Sequence, residues 1–171
     1  MSDYFEHPSR ASRYANGEHV VYPESLREDM TVWFSLEPDR GRWEGILAVG
    51  EGGNRARLVG IPIWVYGVDL DDIVEYIESG EGAPVAVSVV EESSNTTFRV
   101  VFPDLSPGDE DDRWRQILID MESWECWFDV LAPGYLAISA PAGHVDAAEQ
   151  YLAARAGRGD FIYERGDVDP T

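Results

Sequence analysis

The sharpest alternation in the chain runs from Val85 to Phe102. Val85, Val87 and Val89 fall on one face, and Phe98, Val100 and Phe102 repeat the same period of two. Both runs are rich in β-branched residues, and the polar stretch Glu92-Ser93-Ser94-Asn95 between them reads as a turn. The two arms are therefore expected as a hairpin. Its second arm also opens the pattern that fills the rest of the chain, so the hairpin would tie a front half to a back half.

In the front half the alternation starts at Thr31. Val32, Phe34 and Leu36 alternate with Trp33 and Ser35, and Gly50, Gly52, Gly53 and Asn54 punctuate the next two runs, which predicts a meander of short antiparallel strands. Pro62 keeps the segment Gly60–Gly67 at an edge or in a turn, because it has no backbone N–H to give to a ladder. Residues 68–77 fit a helix with Ile73, Tyr76 and Ile77 on one stripe, or a strand. The bracketing glycines Gly67, Gly80 and Gly82 favour a tight acidic turn leading into a strand. Residues 1–28 are polar and aperiodic and are expected as a mobile arm. Residues 29–95 are then a small bent antiparallel sheet or partial barrel.

The back half, residues 96–165, reads as β-α-β-β-α-β, the ferredoxin-like order, with residues 166–171 as a tail. Pro107-Gly108-Asp109 is expected to start the first helix, capped by Asp109, with Asp109–Arg113 and Asp111–Arg115 pairs on its exposed side. Trp114, Ile117, Leu118, Met121 and Trp124 would form its buried face. Strands follow over Cys126–Leu131 and Tyr135–Ser139. A second helix is expected from His144 to Ala156, stopped by Gly157, before a closing strand over Phe161–Glu164. The fold class is thus α+β.

The segments VWFSLEPDRGRWEG, RLVGIPIWVYGVDLDDIV and GDFIYERG, with the two valine-rich arms between them, resemble a bacterial domain-of-unknown-function family of small two-part α+β proteins. The likeness spans residues 31 to 165. It implies the architecture and carries no activity.

Charge changes the picture more than composition does. Thirty-three acids stand against thirteen arginines, no lysine is present, and the formal charge is −20. Such a surface repels nucleic acid and anionic membranes, whose binding requires cations against phosphate. Without lysine there is no Walker A loop, Schiff-base site or lysine general base. No apolar run reaches the length of a membrane span, and no apolar stretch follows a basic start, so a cytoplasmic protein is expected.

Candidate chemistry is sparse. His7, His19 and His144 lie in the arm or at a helix start, where a solvated imidazole is the ordinary expectation. Cys126, the single cysteine, is expected as a buried structural thiol. The acids Asp69, Asp71 and Asp72, and the run Asp109–Asp112, lack the spacing of a calcium loop, and no cofactor or metal is expected. The remaining reading is a non-enzymatic protein-binding module, an immunity-like or antitoxin-like inhibitor of a basic effector. Trp64 and Tyr66 beside Asp69, Asp71 and Asp72 would form its contact patch. Two alternatives stand beside it: an enzyme built on paired carboxylates, and a housekeeping protein whose charge reflects a salty or high-GC host.

Overall fold

The alternation after Thr31 becomes strand β4 (Asp29–Glu37), which buries Val32 and Phe34 inside a closed barrel. A computed structural model describes residues 2–6, 10–22, 29–37 and 40–167. In it β4 runs antiparallel to β5 (Arg42–Gly52), β5 pairs with β6 (Arg55–Leu58), β6 with β7 (Ile73–Glu78), and β7 with β8 (Pro84–Glu91). Strand β8 returns to β4 through a parallel contact between Val85 and Trp33 and closes the ring at five strands. The β5–β6 turn is tight, with Gly52 and Gly53 both at positive φ, which a side chain would disfavour. Ile46, Ala48, Ala56, Leu58 and Val74 complete the barrel interior with Val32 and Phe34. Full closure removes the open edge that a partial barrel would leave.

A second sheet is built from β9 (Thr96–Val101), β10 (Trp127–Ala132), β11 (Tyr135–Ala140) and β12 (Ile162–Arg165), with the order β12-β9-β11-β10. Helix α1 (Trp114–Asp120) links β9 to β10, and α2 (Val145–Gly157) links β11 to β12. Phe98, Val100, Leu136, Ile138 and Phe128 point to the helices and meet Ile117, Leu118, Met121, Ala148 and Leu152. The opposite face of this sheet lies on the loop that leaves the barrel, where Ile61, Ile63 and Leu70 are buried with Ala137 and flanked by Trp64, Trp127 and Tyr135. Among the described residues no helix is long and apolar enough to cross a membrane.

Several expectations need correction. Both arms hold strands, β8 (Pro84–Glu91) and β9 (Thr96–Val101), but they do not form a hairpin: β8 belongs to the barrel and β9 to the second sheet. The donors of the connecting stretch are taken by the turn before β7. Ser93 N–H donates to Asp72 at 2.7 Å, Thr97 N–H donates to Asp69 at 2.7 Å, and the Asn95 side-chain amide donates to the Leu70 carbonyl at 2.8 Å. These bonds swing the chain out of one sheet into the other.

Residues read as an arm carry three strands. β1 (Asp3–Glu6) adds in parallel to β5, while β2 (Ser12–Ala15) and β3 (Glu18–Val21) extend the second sheet beyond β10. These strands are four residues each, too short for periodicity to show. His7 and the other arm residues at 1, 8–9 and 23–28 lie outside the described residues, as does the tail from 168.

Helix α1 begins four residues later than expected, with Arg113 at the cap position. Asp109 does not cap it: its carboxylate accepts from Ser106 N–H at 2.7 Å and holds the preceding turn. The expected i to i+4 pairs are replaced as well, with Arg113 bonded to Asp111 and Asp104, and Arg115 against Asp112. Residues 68–77 resolve as a turn into β7, and residues 59–67 form a buried irregular connection.

Candidate functional site

The acids expected to face a partner are engaged within the molecule. Asp69 accepts from both the N–H and the hydroxyl of Thr97, at 2.7 and 2.6 Å, and so reaches from the barrel to the second sheet. Asp72 is buried and accepts from Asp69 N–H at 2.8 Å as well as from Ser93. Burial raises the carboxyl of Asp69 to about 6, against the opposing pull of the Thr97 donors, and raises that of Asp72 too. Asp71, in the left-handed region at φ 72°, is paired with Arg57 at 2.8 Å. Burial, reinforced by a hydrogen bond to Asp71, holds the Tyr22 phenol's pKa well above its usual value.

Trp64 and Tyr66 sit on the neighbouring connection, which is clasped from both sides. From the barrel, the fully buried carboxylate of Glu44 accepts three successive backbone N–H groups, from Ile63 (2.6 Å), Trp64 (3.0 Å) and Val65 (2.7 Å). Three amides converging on one anion form a nest, here filled by the protein's own side chain. From the second sheet, Arg99, only 1% exposed, donates to the Val65 carbonyl at 2.5 Å and to Glu164 at 3.1 Å, and stacks over the Tyr66 ring at 4.1 Å. Tyr66 donates to Glu164 at 2.8 Å, and Trp64 packs on Phe5 at 4.8 Å. The two aromatics line a cleft with Glu37, Arg42 and Tyr135, while Asp69 and Asp72 turn away from it into the joint.

A second cleft, of about 460 Å³, gathers Arg10, Ser12, Tyr14, His19, Trp114 and Asp129 where β2 and β3 meet the second sheet. Sequence reasoning missed this cleft because one of its walls comes from the presumed arm. His19 is exposed and faces Tyr14 across the β2–β3 pair, with ring centroids 5.8 Å apart, whereas Ser12 faces Val21. The serine and the histidine are therefore not directly opposite each other. Cys126 is buried, and desolvation raises its thiol to about 12, which leaves no thiolate for nucleophilic work near neutral pH.

The third cleft lies on the outside of the barrel. Tyr4, Trp33, Trp43 and Val85 line a cavity of about 340 Å³ with Glu81 at the β7–β8 turn. Pairing explains how they meet: Tyr4 is opposite Trp43, and Trp33 is opposite Gly45 on one side and Val85 on the other. Gly45 is required there, since a Cβ on it would stand 2.9 Å from the indole of Trp33 and 2.8 Å from Thr31 Cγ2. Tyr4 is 59% exposed and meets Trp33 edge to face at 5.4 Å. Ile77, opposite Val85, and Val87, two residues along β8, are each 57% exposed and continue this apolar face. Trp33 and Trp43 were legible as strand tryptophans; their convergence with Tyr4 was not, because no local pattern brings β1 beside β5.

No curated protein matches this chain. The fold is similar to the crystal structure of a hypothetical protein from Neisseria gonorrhoeae, with a TM-score of 0.62 at 15% sequence identity, over 86% of this chain and 99% of that one. Residues 44–161 match the family described as a domain of unknown function, DUF4265, and the chain belongs to that family.

Proposed function

We propose that this protein is a non-enzymatic binding module whose acidic surface receives a basic protein, in the manner of an immunity-like or antitoxin-like inhibitor. The observation that carries this reading is the apolar outer face of the barrel. Tyr4, Ile77 and Val87 stand exposed beside Trp33 and Trp43, and the exposed acids Glu78 and Glu81 adjoin them. Exposed aromatic and aliphatic side chains rimmed by charge are the composition of an interface core and its border. The field around the face has one sign. Every arginine from Arg40 to Arg165 lies within 3.8 Å of a carboxylate of the same chain, so the surplus of −20 belongs to the remaining acids. A cytoplasmic setting fits such a module.

The same reading takes residues 96–165 as a ferredoxin-like unit. The β-α-β-β-α-β succession and the sheet order β12-β9-β11-β10 support it. The face turned away from the helices, which in such sheets often stacks nucleic-acid bases, here carries Ile61, Ile63, Trp64 and Leu70 packed against Ala137. The test of function is capture of a basic partner from the source cell, followed by association kinetics at low and high salt. A saturable partner whose association slows steeply with salt is the expected result. A protein that turns over a substrate in place of binding a partner overturns the reading.

A further inference from the structure

We infer that the cleft of Tyr4, Trp33 and Trp43 is the anchor of this binding surface and that its occupant is a cationic side chain, arginine or lysine, from the basic protein; the inference rests on the binding-module reading above. Three aromatic side chains line one small cavity, and the faces of such rings attract cations. The charged side chain lining the cavity is the carboxylate of Glu81, so charge and ring quadrupoles favour the same ligand. A volume of about 340 Å³ is within the range of sites that enclose a ligand group, and far below a whole interface. The rings are also held in place before anything binds. Trp33 lies over the bare backbone of Gly45, and Tyr4 is braced edge-on against it at 5.4 Å. Rigid aromatic anchors of this kind lose little side-chain freedom on binding. Cation recognition at Trp33 and Trp43 would give the complex a specific register that the diffuse charge cannot supply.

The experiment uses the full chain and two synthetic peptides of equal length, one with arginines spaced by glycine and serine, the other with citrulline at each arginine. Citrulline keeps the shape and removes the charge. In the wild-type protein the indole N–H resonances of Trp33 and Trp43 should shift on adding the arginine peptide, while those of the α1-side residues Trp114 and Trp124 stay still. The citrulline peptide should shift none of them. Trp43→Leu and Glu81→Gln should each weaken arginine-peptide binding by about tenfold. Asp109→Asn with Asp112→Asn removes two charges far along the chain in the turn before α1, and should weaken binding less than twofold. The wild-type resonance measurement does not depend on any variant folding. Equal losses from Glu81→Gln and from the Asp109/Asp112 pair, or unmoved Trp33 and Trp43 signals in a complex that still forms, would overturn the anchor and leave the acidic-module reading standing. Failure of the arginine peptide to bind at all also overturns the anchor, whereas the module itself is judged on its protein partner.

Discussion

Glu44 shows how much a single buried acid can organise. A carboxylate removed from water is tolerated where donors replace its hydration, and three consecutive amides do so here. Glu44→Gln keeps the size but turns an amide NH₂ toward those N–H groups, so it should lower stability by about 3 kcal/mol, read as a shift of the urea midpoint. A neutral result would mean that the nest does not hold residues 63–65. Asp69 makes a different prediction, about pH. Burial raises its folded pKa from 3.8 to about 6, so the folded state holds the proton more tightly than the unfolded chain does. The cost of its ionisation is absent below the unfolded value, grows as pH rises, and is complete above the folded value. From about pH 4 to about pH 6 the protein should therefore lose up to about 3 kcal/mol from this group. Asp69→Asn should flatten that slope in denaturation curves across the window, with Asp72 leaving a residue of the same sign. Neither role was visible in the sequence. Glu44 sits in an alternating strand like any solvated acid, and Asp69 and Asp72 read as part of an acidic surface because their donors, at 93 and 97, come from the far side of β8.

The elements were more legible than their pairings. Local alternation located β4, β5, β8, β9 and β11, and helical spacing located α2 to within a residue at each end. Partners depend on bonds between distant residues, so the Val85 and Phe98 arms looked like a hairpin although the turn before β7 had already claimed the donors between them. Helix α1 failed in a more local way. The acids 109–112 resemble a cap, yet Asp109 bonds back to Ser106 and Asp111 bonds forward to Arg113, and each bond holds a turn outside the helix. The late start changes the energetics of the apolar face. Ile117 is fully buried, so Ile117→Ala should cost about 2–5 kcal/mol. Trp114, at the first helical position, is half-buried on the rim of the Arg10–His19 cleft, so Trp114→Ala should cost only about 2 kcal/mol. Equal losses in the two unfolding curves would place Trp114 in the core after all.

For the molecule as a whole, the ratio of acids to arginines sets the response to salt. The ion pairs are mostly at the surface, where each is worth little, while a charge of −20 repels itself at every separation shorter than the screening length. Raising salt from about 0.01 M to about 0.5 M should therefore raise the melting temperature by a few degrees, corresponding at this chain length to about 1 kcal/mol. A fall would show that the pairs outweigh the repulsion. The placement of β1 and β2 bears on a different property, the order of events in time. Strand β1 docks on β5, but β2 finds its place only against β10, where Ser12 meets Phe128. During synthesis β2, made before β10, must wait for it, and until then the β2 edge stays open while the barrel strands β4–β8 can already close. A nascent chain of this protein should thus pass through a stage with a finished barrel and an unsealed second sheet. At that stage it is most exposed to edge-to-edge association and most dependent on chaperones.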